Sequence, residues 1–354
     1  MVASAAALAK QLTEISNSHI MKTDKIGLFL ALTGATAFGK EPGLGQIVVA
    51  NSSQNYAASL AQDVAGYLAG QPATDQEALL DLLAPPVQVA DFFQFAKADD
   101  QAYLTEADDS DIRGLGASFK RVEHSGSIVT DATLQKGLTK RVDHRTIPRI
   151  NGTLVSGWEN REAEALKQRL IRAELLRVGS VLDGAANAVS KTWNASSNPD
   201  GDLRAQAERT RVKSGMPATH LVIGSAAQQL RQDVYETSSR ANSGVSNHAG
   251  YTMEQLANYC QVGLAVVHNA LYQTKKGAAK TEVQGLVVYS YSALPGTMID
   301  DPSNLKRAWT PTMSGGMWMV FIQEGAAWTD ITVFQQSKVF APLTQGVEKL
   351  TVSA

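Results

Sequence analysis

Residues 158–189 read WENREAEALKQRLIRAELLRVGSVLDGAANAV. Leu166, Leu170 and Ala173 recur at helical spacing in one row, and Ile171, Leu175, Val178 and Leu182 form a second. Glu162, Lys167, Arg169, Arg172, Glu174 and Arg177 lie between them. Two adjoining rows make a broad apolar face, the pattern of a long helix lying across a sheet. At 1.5 Å per residue such a helix spans roughly 40–45 Å, the width of a domain. Asn194 to Gly201 then supplies a turn-rich break.

Downstream, helical and extended patterns alternate. A helix at Leu203–Lys213 precedes the buried-strand signal His220–Ile223, and a second helix follows near Ser225–Tyr235. Thr252–Tyr259 reads as a helix and Gly263–His268 as a strand; a Lys/Gly-rich loop, Thr274–Lys280, leads to a strand at Leu286–Tyr291. This alternation predicts an α/β module. Met317–Gln323 and Trp328–Phe334 then predict an antiparallel pair around Glu324-Gly325, with Val339 and Phe340 opening one more strand.

Upstream the chain is different. Residues 1–80 are rich in Ala, Leu, Gly and Ser, with amphipathic stretches at Ala5–Ile20 and Tyr56–Leu68. In the second, Tyr56, Leu60, Val64 and Tyr67 or Leu68 share a face. Asp75–Leu83 is a third helical pattern, stopped by Pro85-Pro86. This region reads as an arm whose apolar surface is too small for its own core. Val87, Val89, Phe92, Phe93 and Phe95 then favour extended chain. An acidic stretch from Asp99 to Asp111 follows, and after it a glycine-broken β-like region carrying Arg113, Lys120, Arg121, Lys136, Lys140, Arg141, Arg145 and Arg149. Turn signals with few large apolar residues predict a projecting hairpin, which buries little of itself in a monomer.

Composition narrows the classes. The 354 residues are 44% hydrophobic with 32 basic and 34 acidic side chains, so collagen-like and disordered chains are excluded and no dedicated nucleic-acid binder is indicated. Cys260 is the one cysteine, so an internal disulfide and a cysteine-rich zinc site are excluded, and a reducing compartment fits. The most apolar run, Ile26–Phe38, is too short to span a membrane. Lys22 and Lys25 before it and Ala35-Thr36-Ala37 within it resemble a secretory leader, but Glu14 and Asp24 argue for a segment that packs against a neighbour.

Candidate chemistry fails on inspection. Gly34 to Lys40 has most of the Walker A spacing, but Glu41 stands where a Ser or Thr should hold Mg²⁺, and Pro42 and Gly43 are read as preventing a helix start. Asp109, Asp111 and Gly114 suggest a calcium loop, yet Arg113 and Lys120 occupy positions that require carboxylates. Asn198, Asp200 and Asp202 read as a solvated turn. His19, His124, His144, His220, His248 and His268 show no short metal-ligand spacing; His220 and His268 flank strands and read as structural, and Cys260 as a buried small hydrophobe.

The succession of modules from Leu83 to Gly346 resembles the major capsid protein of tailed bacteriophages, the Hong Kong 97-type or Johnson fold shared with encapsulins. It is carried by Ala84-Pro85-Pro86-Val87, the basic hairpin, the charged helix Glu162–Asn187, the α/β module with Thr219-His220-Leu221-Val222-Ile223-Gly224, and the closing strands Trp318–Phe334. The resemblance implies an α+β fold in four parts. Residues 1–83 are an N-terminal arm with short helices, and 84–150 a lead-in strand and extended β-hairpin loop. Residues 151–192 with 311–354 are a peripheral domain holding the long spine helix, and 193–310 an α/β axial domain.

The same resemblance implies a structural protein, not an enzyme, that assembles into hexamers and pentamers of an icosahedral phage head around double-stranded DNA. It implies no catalytic residue, cofactor or metal. The partners expected are other copies, portal and scaffolding or cement proteins, and DNA held non-specifically; no membrane is involved. The place expected is the virion, after assembly in the host cytoplasm. Lys120, Arg121, Lys136, Lys140, Arg141 and Arg145, with Asp108, Asp109 and Asp111, are the candidate inter-subunit contacts, matched by charge. Some shells of this family join a hairpin Lys to an Asn near the carboxyl terminus; here Asn304 is the last Asn, which predicts a non-covalent shell. The alternatives are an encapsulin-like compartment holding protein cargo and a soluble α/β nucleotide-binding enzyme using the loop at Lys40.

Overall fold

The computed structural model describes residues 42–70, 74–97, 112, 115, 118, 127–147, 149–150, 153–154, 157–237, 250–296, 298–312 and 316–354, with backbone alone at 42–55, 149–150 and 153–154. The expectations for Ala5–Ile20, Ile26–Phe38 and the loop ending at Lys40 lie outside these residues. So do those for the acidic stretch with Asp108, Asp109 and Asp111, and for Lys120 and Arg121.

The chain divides into residues 1–59 and 60–354. Within the first, the described part is the start of helix α1 (Pro42–Gly70). A helix beginning at Pro42 corrects the sequence expectation. Proline at the first helical position has no N–H to leave unpaired, and its φ is already helical. In the later turns Val64 and Leu68 are buried, whereas Tyr56 and Tyr67 are exposed.

The larger unit continues with α2 (Asp75–Leu83), β1 (Pro86–Gln88), β2 (Phe92–Lys97), β3 (Ser127–Ala132), β4 (Leu134–Asp143), β5 (Arg149–Ile150) and β6 (Thr153–Leu154). Next come the long helix α3 (Trp158–Ala185), β7 (Asn187–Thr192), α4 (Pro199–Ser214), β8 (His220–Gly224), α5 (Ser225–Thr237), α6 (Met253–Cys260) and β9 (Leu264–His268). β10 (Leu271–Tyr272), β11 (Thr281–Glu282), β12 (Val287–Tyr291), β13 (Lys306–Thr310), β14 (Trp318–Glu324), β15 (Trp328–Phe340) and β16 (Glu348–Ser353) complete it.

Two larger sheets result. One has the order β7-β16-β12-β8-β9, with β7 parallel to β16 and β8 parallel to β9. Every residue of β8 is buried, because successive side chains serve opposite faces: Val222 packs toward α2 and α3, Leu221 and Ile223 toward α4 and α6. The second sheet is built on β15, whose one edge is lined by β4 and whose other edge takes β14 and then β13, with β1 beyond β13.

Helix α3 joins the two. Gly157 caps its start at φ 77°, a left-handed conformation that glycine adopts without steric cost. Ile171, Leu175, Val178 and Leu182 bury with Leu79, Leu80, Leu83, Tyr289 and Tyr291 over the first sheet. Trp158, Leu166 and Leu170 bury with Val142, Val320, Ile322, Ile331 and Val333 over the second. The two apolar rows of the sequence thus serve two sheets rather than one. The helix stops at Ala185, short of Asn187 and Val189, since the chain turns extended there and pairs in parallel with β16.

Three further expectations are corrected. Val339 and Phe340 end β15 instead of opening another strand. Leu134 to Val142, read as part of a projecting hairpin, lie in β4 against β15 from Leu134↔Ser337 to Asp143↔Trp328. The Asn198 turn is solvated only in part, with Asn198 exposed and Asp200 buried. Asn198 caps α4, Asp202 accepts from Trp193 Nε1 at 3.1 Å, and Asp200 is wholly buried against Arg231.

Candidate subunit-contact surface

The basic strand β4 divides its side chains by the period of two. Toward α3 point Lys136, Lys140 and Val142. Lys136 Nζ donates to Glu174 Oε1 at 2.9 Å and to Ser337 Oγ at 3.3 Å, and Lys140 pairs with Glu162. Lys136 is largely buried, and this desolvation lowers its pKa against the opposing pull of Glu174. Its charge is therefore committed within the chain. Lys140 is about half exposed beside its partner.

On the opposite face Arg141 forms a fork with Asp330, Nε to Oδ1 at 2.8 Å and Nη2 to Oδ2 at 2.7 Å, and its guanidinium lies 3.9 Å from the Trp328 ring centroid. The hydrogen bonds from Arg141 lower the pKa of Asp330. Arg145 is exposed on the following turn, where its backbone N–H donates to Asp143 Oδ1 at 2.8 Å. The fold thus sets Lys140, Arg141 and Arg145 near one end of β4.

A second surface element was not singled out from sequence. β2 and β3 pair antiparallel from Phe92↔Ala132 to Lys97↔Ser127 as a separate two-stranded ribbon. Its inner face carries Phe93 and Phe95, whose rings pack tilted against Phe340 of β15. Its outer face carries Phe92, 77% exposed, and Ile128, 72% exposed. Alternation in Phe92-Phe93-Gln94-Phe95 held this signal, but both faces contain aromatic or apolar residues, so the inner face could not be chosen.

Enzymatic groups are poorly placed. A cavity of about 320 Å³ is lined by Gly201, Arg204, Glu208, Arg211, Cys260 and Gln261. Burial pushes the Cys260 thiol up to about 12, so it is not a thiolate nucleophile near neutrality. His220 and His268 are buried and desolvation pushes each down to about 4, which fits their structural reading. Among the described residues no cluster of His, Cys, Asp and Glu has the makings of a metal site, and no helix is long and apolar enough to cross a membrane.

No family model and no curated protein matches the chain. Among solved structures it is similar to a phage-related protein of Bordetella bronchiseptica RB50, at 16% identity and a TM-score of 0.59, covering 82% of this chain and 96% of that one. Weaker likenesses are to the capsid of cyanophage P-SCSP1u, at 9% identity and a TM-score of 0.45 over 77% and 86% of the two chains. Another is to the SrpI encapsulin of Synechococcus elongatus PCC 7942 in its holo complex, at 10% identity and a TM-score of 0.44 over 79% and 88%. The chain therefore shares its fold with a phage-related protein, as the likeness to phage capsid proteins in the sequence led us to expect.

Proposed function

We propose that this chain is the major capsid protein of a tailed bacteriophage, of the Hong Kong 97 type, assembling into the hexamers and pentamers of an icosahedral head that encloses double-stranded DNA. The observation that carries the reading is the β2–β3 ribbon, which spends one face on Phe340 and leaves Phe92 and Ile128 to solvent. Large apolar residues on the outer face of this ribbon gain their burial from a neighbouring copy. A shell subunit needs such non-identical contacts repeated by symmetry.

Lys140, Arg141 and Arg145 are the basic side chains proposed to face a neighbour, with Lys120, Arg121, Asp108, Asp109 and Asp111 from the same part of the chain. Lys136 is not among them, because Glu174 holds its ammonium. The proposed place is the virion, with assembly in the host cytoplasm beside portal and scaffolding or cement proteins.

Sedimentation followed by electron microscopy of the purified protein tests this reading. Closed particles, or rings of five and six, are expected. A monomer unchanged across concentration and salt would overturn it. Nuclease-protected DNA inside the particles is the expected content, and a protein cargo in its place would assign the shell to the encapsulin class.

A further inference from the structure

Strands β10 and β11 form a small hairpin, Leu271↔Glu282 and Tyr272↔Thr281, that leaves the α/β unit between β9 and β12. Its tip is an ordered turn. Ala278 N–H donates to Lys275 O at 3.1 Å, Gln273 Nε2 donates to Ala278 O at 2.7 Å, and Gly277 takes φ 80°. Lys275, Lys276 and Lys280 are all exposed there. Among the described residues these three and Lys97 are the lysines that make no ion pair; the others are matched to carboxylates within the chain. The acid at the foot of the hairpin does not neutralise them. Glu282 turns back into the α/β unit and accepts from Ala226 N–H at 3.3 Å. A chain of net charge −2 therefore presents an uncompensated cationic tip.

We infer that this tip is a contact for the phosphate backbone of nucleic acid, an inference that rests on the proposed role as a DNA-enclosing shell. Ammonium groups act as point charges on phosphate oxygens, whereas base reading needs bidentate or stacking side chains. Between the lysines lie Gly277, Ala278 and Ala279, with nothing to stack on a base or fill a protein pocket. The contact is accordingly independent of sequence. Three neutralised phosphates contribute about 2.7 to the slope of log affinity against log salt.

The test uses the full chain and a fluorescent random-sequence duplex, with anisotropy read from about 50 to 200 mM salt. The triple variant Lys275→Gln, Lys276→Gln, Lys280→Gln is expected to lower the slope by about 2.7, so that wild type loses about 40-fold more affinity over that range. An unchanged slope, or no wild-type binding at the lowest salt, overturns the inference. Particle formation is scored by microscopy on the same samples. A variant that binds DNA as wild type does but no longer forms particles would assign the tip to a second copy, and the inference fails. If wild type forms no particles yet the variant loses the slope, the tip stands and the shell reading falls. Equal melting temperatures for the two proteins confirm that these exposed substitutions leave the fold intact.

Discussion

Glu174 is wholly buried on α3, and its Oε1 accepts from Lys136 Nζ at 2.9 Å, Arg177 Nη1 at 2.8 Å, Gln335 Nε2 at 3.2 Å and Ser337 Oγ at 3.1 Å. One carboxylate thus ties the long helix to β4 and β15. Removing it strands a lysine that burial already disfavours as a cation. Glu174→Ala is expected to cost about 3–5 kcal/mol in urea unfolding, and Glu174→Met with Lys136→Met less than that. Losses that simply add would show the pair uncoupled. The histidines set a second dependence. His220 stacks on Tyr291 with centroids 5.4 Å apart, its Nδ1 2.7 Å from Thr219 Oγ1; neither ring nitrogen of His268 has a hydrogen-bond partner. Desolvation pushes both to about 4, from an unfolded value of 6.5. The unfolded chain takes up their protons first, so their contribution is full above pH 6.5 and is lost as pH falls toward about 4. Each histidine adds about 1.4 kcal/mol per pH unit to the slope within that window. His268→Leu should remove one histidine's share, as seen in denaturation midpoints across the window; an unaltered slope would contradict the assignment. The sequence placed both histidines beside strands; they are the first residue of β8 and the last of β9, and both are buried. It gave no sign that Lys136 was buried, because its partner Glu174 is distant in sequence and on another element.

At the scale of elements, what was legible followed from periodicity. The 3.6-residue rows of α3 and the alternation in His220–Ile223 report burial directly, and both elements formed. Strands β13 and β16 are not legible in the sequence because charged residues in them are buried by pairing. Lys306 meets Asp301, Arg307 meets Asp81, and Glu348 meets Arg209 and Lys213, so Lys306-Arg307-Ala308-Trp309-Thr310 does not read as an inner strand. Register across distant segments was equally hidden: nothing near Leu134 announces Ser337. That register makes a specific demand at Gly137, opposite Phe334. A Cβ there would lie 2.7 Å from Phe334 Cβ and 3.2 Å from Val333 O. Gly137→Val should cost about 1–3 kcal/mol by overpacking, read as a lowered melting temperature. Wild-type melting in that variant would mean that the two strands are not paired in this register.

Across the whole molecule, most of the described lysines are matched within the chain, which leaves few groups to direct association. On the proposed shell, Lys140→Gln with Arg145→Glu should abolish or slow particle formation at low salt while changing stability by no more than about 1 kcal/mol. Assembly at the wild-type rate would remove this end of β4 from the contact. Association through such contacts would be non-covalent, and the surroundings of Asn304 bear on that. Asn304 is the last Asn in the sequence and is wholly buried. Its Oδ1 accepts from Ser292 N–H at 2.8 Å, and its Nδ2 donates to Leu343 O at 2.9 Å and to Gln345 O at 2.6 Å. A lysine amine from a neighbour would have to reach the carboxamide carbon through that packing and break all three bonds, leaving buried polar atoms unpaired at about 1–3 kcal/mol each. Particles boiled in denaturant should therefore dissolve to the mass of one chain. A ladder of covalent oligomers would overturn the non-covalent expectation, and with it the protection assigned to the buried carboxamide.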